Sequence, residues 1–443
     1  MTTPTPSAFR TAPTPTPTPT PTQTPTQTPP TSAMPPTTPH TILCPPPAWM
    51  RWAPHAAALW STAYLFLGIL WLGGRGSYPW HRDSGDTSGI NLLGGLDPRS
   101  VSLLVVGTSI LGLGVTGTML ALSRRPGRGL GLLRLTALTA ATMGIVLSVV
   151  VPDFRILATA GYIPIVAVMT IFDMDTGQMW STAFSWPIVN LMILPLGGAT
   201  FLAAAVSHWR LAADGCQRCG RDDGVSRWAT PQSAGRWGRW ATGIAIVVPV
   251  GYATTRVAWA LGIPFGVSQR LLDEIGEARY AGASLGLLGV GGAVLTAGLT
   301  RPWGETWPRW IPWLRGRRVP VAAAVIPASI MSFIVMSAGL MFVRLRLSGG
   351  LASAFPGETS DIAAWLPEMF WPLWALSLAA ATYAYWLRRR GRCVTCGRSS
   401  QALHRRQPVG DGCEVSAAMA TTTSQSSPTA VEDLGHCEGL GRS

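Results

Sequence analysis

The sequence predicts an all-α integral membrane bundle of about eight transmembrane helices, built as two parallel four-helix repeats. Three observations carry that prediction. The 443-residue chain is 47% hydrophobic but only 12% charged, about half the charge of an ordinary soluble domain. Its apolar residues fall into blocks of about 20, the length that crosses a bilayer as helix. Finally, the pattern C-x-x-C-G-R occurs twice, as Cys216-Gln-Arg-Cys219-Gly-Arg221 and Cys393-Val-Thr-Cys396-Gly-Arg398, each time directly after an apolar block.

Residues 1–47 are Pro/Thr low complexity with almost nothing to bury, and they read as an extended tail. They lack the basic, apolar and cleavage regions of a signal peptide. The eight apolar blocks run about 54–74, 101–122, 132–151 and 184–206, then 240–262, 284–300, 319–343 and 366–387. A closed barrel would need ten-residue alternating segments instead. Glycines inside the blocks, such as Gly112, Gly114 and Gly117, allow close helix approach in lipid. Residues 399–443 are polar and aperiodic and read as a disordered tail; His404, Cys413, His436 and Cys437 there match no metal spacing.

A ninth apolar stretch, Ile156 to Phe172, is arbitrated by charge. All 34 basic residues are Arg. They concentrate in the loops 123–128, 210–239, 301–318 and 388–398. Eight crossings place all four loops on one side, which the positive-inside rule makes cytosolic, together with both termini. Nine crossings would break that pattern, so 152–182 is expected as an outer-face or re-entrant segment. The formal charge of +13 thus belongs to membrane topology, and the distribution argues against a nucleic-acid partner. The expected location is the bacterial cytoplasmic membrane, with the lipid bilayer as partner; a homo-oligomer is compatible, and any small-molecule or ion substrate stays unidentified.

The halves 48–225 and 226–398 align block by block. Trp52, Tyr64, Trp71 and Gly74 match Trp240, Tyr252, Trp259 and Gly262 at one constant offset. Pro195, Trp209, Cys216, Cys219 and Gly220 match Pro372, Trp386, Cys393, Cys396 and Gly397 at another. An even number of helices per half gives both halves one orientation, with a candidate site between them. Arg301-Pro-Trp-Gly-Glu-Thr-Trp-Pro-Arg-Trp310 and Arg390 to Arg398 resemble uncharacterised multi-pass membrane proteins of actinobacteria. That resemblance implies membrane location and no assigned activity.

Two constellations carry chemistry. Cys216, Cys219, Cys393 and Cys396 offer four thiolates on one reducing face, a ligand set for tetrahedral zinc. The alternatives are unliganded thiols and a membrane-embedded thiol–disulfide enzyme. The pairs follow helix C-termini, whose partial negative charge disfavours a reactive thiolate, while nearby Arg residues favour one. The second constellation is Arg256, late in the fifth block, and Glu368, opening the eighth, both on the outer side. They form a polar binding pair if they meet; end-of-helix charges more commonly snorkel apart as anchors. Asn190 and His55 are weaker candidates, and Gln269 to Arg279 reads as a connecting amphipathic helix. The signatures of phosphate loops, nucleophile elbows and zinc proteases are not found. The resulting function class is a non-catalytic membrane protein, transporter- or channel-like or a scaffold.

Topology gives the first test. An impermeant maleimide should leave Cys216 unlabelled in intact cells and label it after permeabilisation, and labelling from outside would favour nine crossings.

Overall fold

The computed structural model describes residues 47–80, 90–124, 129–213, 215–221, 226–309, 311–351 and 360–397. The Pro/Thr segment up to 46, residues 398–443 with Arg398 and the scattered His and Cys, and most of the 123–128 loop lie outside the described residues.

All named elements are helical. They are α1 Ala48–Leu72, α2 Pro98–Ser123, α3 Leu130–Ile145, α4 Phe154–Ile171, α5 Gly177–Ala183 and α6 Trp186–Ala212. Then follow α7 Pro231–Ala260, α8 Gln269–Ile275, α9 Ala278–Ala297, α10 Val321–Ser348, α11 Leu366–Met369 and α12 Trp371–Arg389. A π-helical turn, Val146–Val150, extends α3. Side-chain acceptors start several helices: Asp97 caps α2 through the Arg99 and Ser100 amides, and Ser268 caps α8. Inside the bundle, Ser61, Thr116, Thr242 and Thr382 donate to carbonyls one turn back, which satisfies hydroxyls without water.

Eight helices among the described residues are long and apolar enough to cross a membrane: α1, α2, α3 with its π turn, α4, α6, α7, α9 and α10. Much of their surface is unburied. Leu59, Phe66, Ile171, Val247 and Leu347 are all more than half exposed, an apolar area that water would not tolerate and a bilayer would cover.

This set departs from the expected blocks in two places. The 156–172 stretch, expected as an outer-face or re-entrant segment, is the membrane-length helix α4. Its route is nevertheless constrained. Helices α3 and α6 are antiparallel neighbours, with Gly144 opposite Leu202 and Ser148 opposite Gly198. The chain therefore leaves α3 and enters α6 at one end of the bundle, and α4 adds no net crossing. Phe154 meets Phe342, and Tyr162 meets Ala281, at the end opposite the cysteines. The second departure is the last block. It divides into α11 and α12, because Pro367 and Pro372 each open a helix and neither has an N–H to continue the preceding one. Helix α12 falls outside the apolar set, since Arg388 and Arg389 end it. It still runs the depth of the bundle, from Trp371 against Tyr252 to Arg389 bonded to Val319 O.

The helices pair in the same order in the two quartets. Helix α1 packs on α2 and α6, and α3 on α6; α7 packs on α9 and α12, and α10 on α12. Small residues set the tightest approaches. A Cβ at Gly144 would come 2.6 Å from Leu202 and 2.9 Å from Gly198 O. A Cβ at Gly339 would come 2.5 Å from Pro372. Helix α10 also packs on α4 and the π turn, joining the quartets.

Replacing Gly198 by Val, which pushes a side chain into Ser148 and Gly144, should destabilise the protein by about 1–3 kcal/mol. Thermal unfolding in detergent should show this, while Gly243→Val, at a position where a Cβ meets nothing within 4 Å, should leave the midpoint near wild type.

Candidate functional site

The two cysteine motifs fold into the same turn. Gly220 N donates to Cys216 O at 2.7 Å, and Gly397 N donates to Cys393 O at 2.9 Å. Both glycines take positive φ, 71° and 67°, a left-handed conformation that L side chains resist. That is the physical reason for glycine after the second cysteine of each pair. Helix α6 delivers the first turn and α12 the second, and both turns reach the same end of the bundle.

The four sulfurs meet there. Cys216 Sγ lies 3.9 Å from Cys393 Sγ, and Cys219 Sγ lies 3.6 Å from Cys396 Sγ. All four are within 4.8 Å of one another. A metal about 2.3 Å from each of four tetrahedral sulfurs needs sulfur–sulfur edges of roughly 3.8 Å. The set therefore fits a four-thiolate ion, and the cluster can bind a metal. Cys216 and Cys393 are buried, Cys219 and Cys396 half-buried.

Basic groups surround the sulfurs. Arg210, from the last turn of α6, donates to Gln217 O and Arg218 O at 3.2 and 3.3 Å. Arg221 reaches across to Gly391 O at 3.0 Å and Arg390 O at 3.4 Å, bracing one turn on the other. A divalent ion with four thiolates would carry two negative charges, which this arginine shell offsets. Burial opposes ionisation of Cys393, yet the Cys396 and Thr395 amides and the neighbouring thiols bring it down to about 6. Cys216 is likewise lowered: burial works against it, while the Cys219 and Arg218 amides favour the thiolate. Cys219 is pushed up to about 12, first by burial and then by the other sulfurs, although the Arg221 amide works the other way. The cluster thus disfavours four simultaneous charges without a cation.

The second constellation lies at the opposite end of the bundle. Arg256 donates to Glu368 Oε1 in an ion pair whose side chains are only 10% and 5% exposed. The expectation that these charges snorkel apart is overturned. Both were placed at one depth by helix counting, but which way each pointed was not readable from spacing. Glu368 sits in α11, not at the start of the long helix. Arg256 is also sandwiched between Trp259 and Tyr252, 4.1 and 4.8 Å from the ring centroids. Of the weaker candidates, Asn190 accepts from Tyr64 OH at 2.8 Å, and His55 bonds Arg51 O on the surface. The Gln269–Arg279 stretch is interrupted at Gly276, whose φ is 55°, so Arg279 belongs to α9.

Sequence reasoning missed His208, whose ring lies 3.1 Å from Met119 O and joins α6 to α2. It also missed Tyr162, Arg279 and Trp371, which line a cavity beside Arg256 and Glu368. No family model, curated protein or solved structure matches the chain.

The sulfur geometry generates a direct test. In a C216S/C393S background, copper–phenanthroline oxidation of metal-free protein should form the Cys219–Cys396 disulfide. Peptide mapping should recover that cross-link in high yield, and its absence would mean that the two turns do not meet.

Proposed function

We propose that the chain is a bacterial cytoplasmic-membrane protein made of two parallel four-helix repeats, whose cytosolic ends are clasped by one zinc ion on Cys216, Cys219, Cys393 and Cys396. The observation that carries this reading is the convergence of four sulfurs, two from each half, within 4.8 Å. Four thiolates fill a tetrahedral ion and leave no position for water or substrate, so the ion is structural. The bundle is then a non-catalytic membrane protein, transporter- or channel-like or a scaffold, with function elsewhere in its helices.

Duplication supports the clasp. Matched Trp, Tyr, Pro and Cys positions, the shared order of helix pairing and the repeated glycine turn all relate one half to the other. A parallel repeat brings equivalent termini to one face, where a single ion ties the ends of α6 and α12. The concentration of Arg in the loops 123–128, 210–239, 301–318 and 388–398 supports a cytosolic position for this end.

Metal analysis of the full-length protein purified without chelators should find one zinc per chain. Each Cys→Ser variant should lower that content and the thermal midpoint while membrane insertion persists. Iron in place of zinc would keep the four-thiolate site and change the metal. A metal-free protein with a disulfide inside each C-x-x-C pair would instead support the thiol–disulfide enzyme and exclude the clasp.

A further inference from the structure

The cavity beside Arg256 and Glu368 occupies about 270 Å3 at the end opposite the cysteines. Helices α4, α7, α9 and α12 all contribute to its wall, through Tyr162, Arg256, Arg279 and Trp371, and α11 contributes Glu368. It therefore lies where the first-half connection meets the second quartet, independent of the cysteine cluster.

Its polar groups are only partly used. Arg256 is committed to Glu368 Oε1 and to the two flanking rings. Three other buried atoms of the residues lining this cavity have no hydrogen-bond partner among the described residues: Glu368 Oε2, Trp371 Nε1 and Arg279 Nε. Glu368 and Trp371 are 3% and 4% exposed, so bulk water does not explain those two, whereas Arg279 is half-buried. Such orphaned groups are rare in native proteins and call for an occupant. The occupant must donate to the Glu368 carboxylate and accept from an indole N–H and a guanidinium.

We propose that this cavity binds a small zwitterion, a primary ammonium joined through a few atoms to an anionic group. The ammonium meets Glu368 Oε2 against the Trp259 and Trp371 rings, a setting that suits an alkylammonium. The anion meets Arg279, with Trp371 Nε1 as a second donor. A simple anion would leave Glu368 Oε2 without a donor, and a simple cation would leave Arg279 Nε without an acceptor, because Arg279 Nη2 already donates to Tyr280 Oη at 3.3 Å. A free amino acid and an aminophospholipid headgroup share this chemistry.

The first half carries an uncharged cavity, in which Trp60 Nε1 and Trp80 Nε1 also lack partners among the described residues. Tyr64 and Asn190 bond to each other across α1 and α6, the helices equivalent to α7 and α12. The nearby cavity, about 180 Å3, is lined by Trp60, Tyr64, Trp80 and mostly aliphatic residues, with no charged side chain among the described residues. Only the second half carries the charged version.

The test uses full-length protein, delipidated in detergent, titrated with the twenty amino acids and with ethanolamine phosphate. A parallel arm reconstitutes it in nanodiscs of phosphatidylethanolamine or phosphatidylcholine and measures retained lipid. Saturable binding of an amino acid, or selective retention of phosphatidylethanolamine, is expected and identifies the source. R279Q and W371F should each weaken binding about tenfold or more while the protein stays monodisperse and folded. Glu368→Gln is informative only if it folds, since it leaves Arg256 buried without its charge partner; the two other variants keep the proposal falsifiable. No saturable binding in either arm would overturn it. So would glycine betaine, which has no N–H donor, matching glycine, or binding indifferent to both R279Q and W371F. None of these outcomes depends on the metal content at the other end.

Discussion

Everything at one end of this molecule depends on four sulfur atoms reaching the same point. Helices α6 and α12 start far apart in sequence and belong to different quartets. Their ends converge because each terminates in the same glycine-dependent turn, which aims two thiols inward. The convergence orders much else. Arg221 bridges to the opposite turn, and Arg210 folds back on its own. Arg388 holds Leu299 O and Glu305, which ties the start of the segment after α9 to the end of α12. In a low-dielectric setting these cations and a multiply charged metal–thiolate centre would stabilise each other.

Within the helices the constraint is different. Lipid supplies no hydrogen bonds and no hydrophobic drive between apolar faces, so the bundle relies on close approach and internal satisfaction of polar groups. Gly144 against Leu202 and Gly339 against Pro372 show the first. Tyr64 with Asn190 and His208 with Met119 O show the second. The polar contacts of the two halves differ in kind. Where the first half closes a neutral Tyr–Asn bond, the second buries an Arg–Glu pair. A buried ion pair is seldom a net source of stability relative to an apolar replacement. Its presence beside orphaned donors and an orphaned acceptor is better explained by recognition than by folding.

Much of this was legible in the sequence. Block length and charge deficit pointed to the helices. The repeated C-x-x-C-G pattern located the sulfur cluster, because each pair of thiols is held in a turn whose left-handed position L side chains resist and glycine takes. What was not legible has physical causes. Hydropathy measures whether a segment tolerates lipid, not whether it crosses, so α4 was ambiguous until the antiparallel pairing of α3 and α6 put both ends of the connection between them at one end of the bundle. Prolines at 367 and 372 signalled helix starts, yet the apolar run between them hid the break that puts Glu368 on its own turn. Depth along a helix follows from counting residues, whereas rotation about its axis needs packing partners. That is why Arg256 and Glu368 could be placed at one level while both meeting and separation stayed open. Trp371 and Tyr162 look like interfacial aromatics in the sequence and acquire meaning only beside the cavity.

The central claim is that one metal ion joins the two halves through four thiolates. X-ray absorption at the zinc edge of the purified full-length protein addresses it most directly. The account predicts a single shell of four sulfur scatterers at about 2.3 Å. A shell mixing nitrogen or oxygen with fewer sulfurs would contradict it, because the ion would then not be shared by Cys216, Cys219, Cys393 and Cys396.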